Sequence, residues 1–134
     1  MGERSFSESR AVILRKGFDA MANIKSCNIF SALPAAKRRE VFQTLRKGKG
    51  FKIERIVSLG QATPEGKWLC SKASEWVMVL RGRARLLFEG TAAALDLRAG
   101  DAVFIPAHTR HRVAWTHPKQ KTVWLAVHLT SSAR

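Results

Sequence analysis

The chain has 134 residues, 46% of them hydrophobic, enough for one packed core and short of two ordinary domains. Its 24 Lys and Arg against 10 Asp and Glu leave a formal net charge of +14, which attracts polyanions but is dispersed rather than gathered into one tract. The longest apolar runs, such as 76–80 and 124–127, hold only a few residues against the ~20 of a membrane span, so the composition excludes a transmembrane helix and predicts a soluble protein.

Residues 1–22 are polar and weakly patterned and are expected to form a flexible arm, with 23–134 as one domain. The apolar patch at 11–14 is too short for a signal-peptide core and no small-residue cleavage site follows it, so secretion is not expected; Met21 is a candidate natural start. Cys27 and Cys70 lack the even, close spacing of a disulfide framework or the paired spacing of a zinc site, which points to a reducing cytoplasm. Ser31-Ala-Leu-Pro34 has the form of a helix start, with Pro34 near the first turn. Val41, Phe42 and Leu45 then fall at helical spacing, Lys37, Arg38, Arg39, Arg46 and Lys47 face water, and Gly48 and Gly50 end the segment. A short helix is therefore predicted ahead of the β-rich part.

From Phe51 the pattern changes to short β-rich runs separated by turn residues, as in an all-β sandwich or barrel. Strands are predicted at 51–58, 67–70, 75–80, 83–88, 92–97, 102–105, 110–115 and 121–129. The runs 75–80 and 83–88 are expected to pair as a hairpin around Arg81-Gly82.

Two segments in this part carry a family signature. The first, Glu75-Trp-Val-Met-Val-Leu-Arg-Gly82, has the pattern Glu, six residues, Gly; the second, Gly100-Asp-Ala-Val-Phe-Ile-Pro106-Ala-His108-Thr-Arg-His111, has Gly, five residues, Pro, then His five positions on. In this order and spacing they resemble the paired motifs of the cupin superfamily, over about residues 51–129, and the tail Trp124-Leu-Ala-Val-His128 is similar to that of small single-domain bacterial cupins. The resemblance implies an all-β double-stranded β-helix, a jelly-roll barrel, with the two motifs side by side inside it. It also implies a divalent metal held by two His and one Glu of the first motif and one His of the second. Here the first motif departs from the pattern: Trp68-Leu-Cys70-Ser71-Lys72 stands where His-x-His is usual. His108 replaces a common Gly, and Trp115 stands where Asn is common.

Strand alternation gives an independent view of the same residues, because residues two apart share a face. Glu75 should point with Val77 and Val79, and His111 with Val113 and Trp115, bringing a carboxylate and an imidazole into an apolar interior where each needs a partner. Two alternatives follow. Glu75, His111 and Cys70 are the remnant of a metal site, whose O, N and S donors suit zinc or iron better than magnesium or calcium; or Glu75 and His111 hydrogen-bond each other and Cys70 is a small hydrophobe. His108, Trp68 and Trp115 are candidate ligand contacts at the cavity. His117 reads as exposed, and His128 shares a face with Trp124 and Ala126 that points either inward or to a dimer contact.

The function expected is that of a small cupin binding a small organic molecule inside the barrel, with or without a divalent transition metal, and forming a homodimer. The alternative is a noncatalytic basic module for nucleic acid or another polyanion, carried by blocks such as Lys37–Lys52.

Overall fold

Pairing partners, more than local spacing, decide the elements of this chain. The computed structural model describes residues 10–11 and 23–131, so most of the arm expected at 1–22 lies outside the described residues. The chain divides into two compact units, 1–34 and 35–134. In the first, β1 (Arg10–Ala11) pairs antiparallel with β2 (Lys25–Ser26), and Asn28 accepts from the Phe30 amide through its side chain.

The second unit holds eight strands: β3 (Val41–Gly48), β4 (Phe51–Ser58), β5 (Ser74–Arg81), β6 (Arg83–Phe88), β7 (Leu95–Arg98), β8 (Ala102–Ile105), β9 (His111–Thr116) and β10 (Thr122–Leu129). They form two antiparallel sheets, β3-β4-β10-β5-β8 and β7-β6-β9. Inward residues of both sheets meet in one core, with Val77, Val79, Ala84, Leu86, Leu97, Ile105, Trp124 and Ala126 buried together. Full burial of a Val- or Leu-sized side chain contributes about 1.5–3 kcal/mol, so this shared core is what joins the sheets.

The predicted helix is not formed, and no α-helix occurs among the described residues. Ala32 and Ala36 adopt left-handed backbone, φ 50° and 53°, on either side of Pro34, which a right-handed helix does not tolerate. Downstream, 41–48 pairs along its length with β4, and alternate residues Val41, Gln43 and Leu45 are half-buried while Phe42, Thr44 and Arg46 are exposed. Ladder pairing with β4 overrides a helical spacing that only three residues supported.

The hairpin expected at Arg81-Gly82 is also corrected. Both strands form, but β5 pairs with β10 and β8 while β6 pairs with β7 and β9. Gly82 is the point where the chain leaves one sheet for the other. Its φ is +95°, and a Cβ there would lie 2.5 Å from Thr122 Oγ1, 2.6 Å from Thr122 Cα and 2.7 Å from the Lys121 carbonyl. Only glycine meets both conditions. The Gly100 turn, φ +97°, is tied back to β5 by Gly100 N–H donating to the Val79 carbonyl at 2.7 Å.

Candidate functional site

Between the two sheets lies a cavity of about 330 Å³ whose walls are mainly apolar: Ile56, Val77 and Trp124 from the larger sheet, Leu86 and Val113 from the smaller, Ile105 from β8 and Phe42 at the margin. Its polar groups are Glu40, Glu54, Ser71, Glu75, His111 and His128, with Cys70 in the middle of the lining segment 69–71. Register explains how they meet. On β10, His128 stands opposite Glu75 of β5 and Lys52 of β4, while Ala126 stands opposite Glu54 and Val77. The inward face of this sheet therefore presents its acids and the imidazole of His128 in adjacent rows.

His111 enters from the other sheet at the start of β9. It exchanges both backbone hydrogen bonds with Leu69, at 2.7 and 3.0 Å, so the segment that precedes β5 runs antiparallel beside it. The side chain is 6% exposed and tilts against Phe88, with ring centroids 6.0 Å apart. Its Nδ1 lies 2.9 Å from the Thr109 carbonyl. A carbonyl can only accept, so the network assigns the proton to Nδ1 and turns Nε2 toward the cavity. There Nε2 faces Glu75 Oε2 at 3.9 Å, too far for a hydrogen bond.

Two further clusters complete the polar lining. Glu54 Oε1 lies 2.9 Å from His128 Nε2, and its Oε2 lies 3.3 Å from Lys52 Nζ. Trp124 Nε1 donates to Ser58 Oγ at 3.2 Å, and Ser58 in turn donates to Glu40 Oε2 at 2.5 Å. Burial pushes the Glu40 carboxyl above its ordinary range, with the Ser58 hydrogen bond opposing part of that rise.

Of the residues singled out in the sequence, Glu75, His111 and Cys70 line the cavity. Trp68, His108 and Trp115 do not, and each has a local reason. The cavity takes Leu69, the bridge partner of His111, with Cys70 and Ser71 after it, and Trp68 falls just outside that stretch. His108 is exposed in a left-handed turn, φ 65°, where its amide donates to the Ser71 carbonyl. Trp115 is reversed by a β-bulge: Arg85 pairs with Trp115 but Leu86 with Val113, so Ala114 is the extra residue and the alternation flips beyond it. The indole instead carries the Arg85 guanidinium 4.5 Å above its ring. Glu40 and Glu54 gave no motif signal; His128 was visible only as a residue sharing a face with Trp124.

The glycine at the sheet-to-sheet crossing, the second-motif turn and the paired inward Glu and His are one arrangement with the sequence signature. The family model described as a cupin domain matches residues 56–128. The chain belongs to the cupin family. Among solved structures, this cupin is similar to a candidate mannose-6-phosphate isomerase from Ralstonia eutropha JMP134, at 50% identity over 78% of this chain and 96% of that one, with a TM-score of 0.75. An RmlC-like cupin protein from Desulfovibrio desulfuricans (22% identity, 78% and 96% covered, TM-score 0.63) shares the fold. So does a cupin superfamily protein from Desulfitobacterium hafniense DCB-2 (17%, 74% and 84% covered, 0.62). No curated protein matches the chain.

The cupin fold implies a divalent metal, and the residues present do not fit one. Among the described residues no group of three or more His, Cys, Asp or Glu side chains converges as a metal site requires. Cys70 is a free, exposed thiol and does not complete a set with Glu75 and His111. Two donors 3.9 Å apart fall short of the three protein ligands of a catalytic zinc and the four of a structural one. No helix among the described residues is long and apolar enough to cross a membrane.

Proposed function

We propose that this cupin binds a small organic molecule directly in the cavity between its sheets, with Glu75 and His111 as the acid–base pair that contacts it. The observation behind the proposal is the pair itself. His111 is 5% exposed, its Nδ1 is committed to Thr109, and its Nε2 faces a carboxylate without a hydrogen bond inside a space of about 330 Å³. The two groups face each other across the cavity 3.9 Å apart without bonding, and a molecule seated between them supplies a hydrogen-bond partner to each. The volume falls in the ~300–1,000 Å³ range of small-ligand pockets. An imidazole nitrogen and a carboxylate side by side support proton transfer to or from such a ligand.

The name of the Ralstonia relative points to a phosphorylated hexose. Among the described residues no Lys or Arg lines this cavity, so it offers a phosphate no countercharge. Saturation-transfer NMR with a library of neutral and charged aromatic fragments tests the proposal. Fragments that bind wild type and are lost in a folded His111→Phe variant support it. An absence of hits, or hits unchanged in the variant, rejects it.

A second proposal rests on surface charge. Lys37, Arg38, Arg39, Arg46, Lys47 and Lys49 are all exposed in and before the β3–β4 hairpin, at the edge of the larger sheet. Nucleic-acid binding there would fall steeply with salt and ignore Glu75→Ala. Homodimer formation is proposed through β8, an edge strand with Phe104 55% exposed; light scattering reads the molar mass.

A further inference from the structure

The charge of the cavity runs against that of the chain around it. Of 24 Lys and Arg, none lines it among the described residues, whereas three Glu do. Lys52 comes nearest in chemistry: its ammonium pairs with Glu54, but its side chain is 44% exposed and lines the neighbouring pocket. The three carboxylates are not equivalent. Glu54 is held by Lys52 and His128, and Glu40 takes a hydrogen bond from Ser58. The Glu75 carboxylate has no hydrogen bond within the described residues, and its ion-pair neighbour is His111 Nε2 at 3.9 Å.

With Nδ1 carrying the proton, His111 presents Nε2 as an acceptor beside a carboxylate that is also an acceptor. The cavity lacks a donor at this point. From this we infer that its ligand carries a cationic, hydrogen-bond-donating head on an apolar body, in the manner of a protonated arylalkylamine, and is not an anion. The inference rests on the cavity being a small-molecule site. An ammonium seated between Glu75 and His111 donates to both, and charge-assisted bonds of this kind are about twice as strong as neutral ones. Trp124, Ile56, Val77 and Val113 then enclose the body. The space is about twice the ~150 Å³ that holds benzene, so it admits a ring with a short chain. A carboxylate or phosphate in the same place would set like charges together in a poorly solvated space, with no cation on the lining to offset them.

The test uses the full chain and three probes that share a phenylethyl body: 2-phenylethylamine, 2-phenylethanol and 3-phenylpropanoate, titrated calorimetrically near neutral pH. The amine should bind about tenfold or more tightly than the alcohol, the propanoate should not bind measurably, and Glu75→Gln should weaken the amine by a larger factor than it weakens the alcohol. An alcohol or propanoate that binds as tightly as the amine overturns this inference and leaves the cavity a small-molecule site. If none of the three binds wild type, this inference fails, and the fragment library decides the proposed function separately. Because the comparison among probes is made on wild type, it stands even if the Glu75 variant does not fold.

Discussion

Replacing Gly82 with alanine tests how the cavity is closed, because this residue carries the chain from the larger sheet to the smaller. Two costs add. A non-glycine residue at φ +95° carries strain of about 1–3 kcal/mol. The new methyl would also sit 2.5–2.7 Å from Thr122 and the Lys121 carbonyl, and two of those three atoms are backbone. Thr122 cannot swing away, since it is fully buried and its hydroxyl bonds to both the amide and the carbonyl of Arg83 at 3.2 Å. Overpacking of this kind costs about 1–3 kcal/mol. The sum, about 2–6 kcal/mol, is a large share of the 5–15 kcal/mol typical of a domain. Gly90→Ala is the control: φ is +91° but nothing lies within 4 Å of the added methyl, so only the strain remains. Urea unfolding should show a much lower midpoint for Gly82→Ala than for Gly90→Ala at unchanged slope. Equal midpoints would refute the steric part of this reasoning.

Glu40→Gln should stabilise the protein at about pH 8 and do little at about pH 4. The folded carboxyl holds its proton more tightly than the unfolded one because of burial, so its favourable contribution exists below the unfolded pKa and disappears as pH rises through the folded one. Melting temperatures at the two pH values check this, and an equal or larger gain at the acidic value contradicts it. Trp115→Ala should lose the Arg85 stack, worth about 0.5–1 kcal/mol at an exposed site, yet leave fragment binding intact. Weaker fragment binding in that variant would mean that the bulge at Ala114 does not turn the indole away.

The fold was legible because the cupin signature encodes backbone requirements. Gly82 and Gly100 both sit at positive φ, and Glu75 and His111 stand at positions that alternation sends inward with Val77 and Val113. What escaped depended on pairing between distant segments. Val41, Phe42 and Leu45 fit a helix until β4 is available to them, and the strands on either side of Gly82 look like a hairpin until β10 takes the place beside β5. Alternation alone sends Trp115 toward the cavity because it assumes no inserted residue, and nothing in Val113-Ala-Trp115 marks one. Glu54 and His128 become neighbours only through the register of β4 and β10, which no local pattern reveals.

Whether Glu75 and His111 meet their ligand directly or through a metal is decided by elemental analysis of tagless protein purified without chelator, then incubated with zinc or ferrous iron and desalted. A direct site predicts metal well below one equivalent, with no difference among wild type, Glu75→Ala and His111→Ala. Near-stoichiometric metal in wild type that disappears in both variants would contradict it.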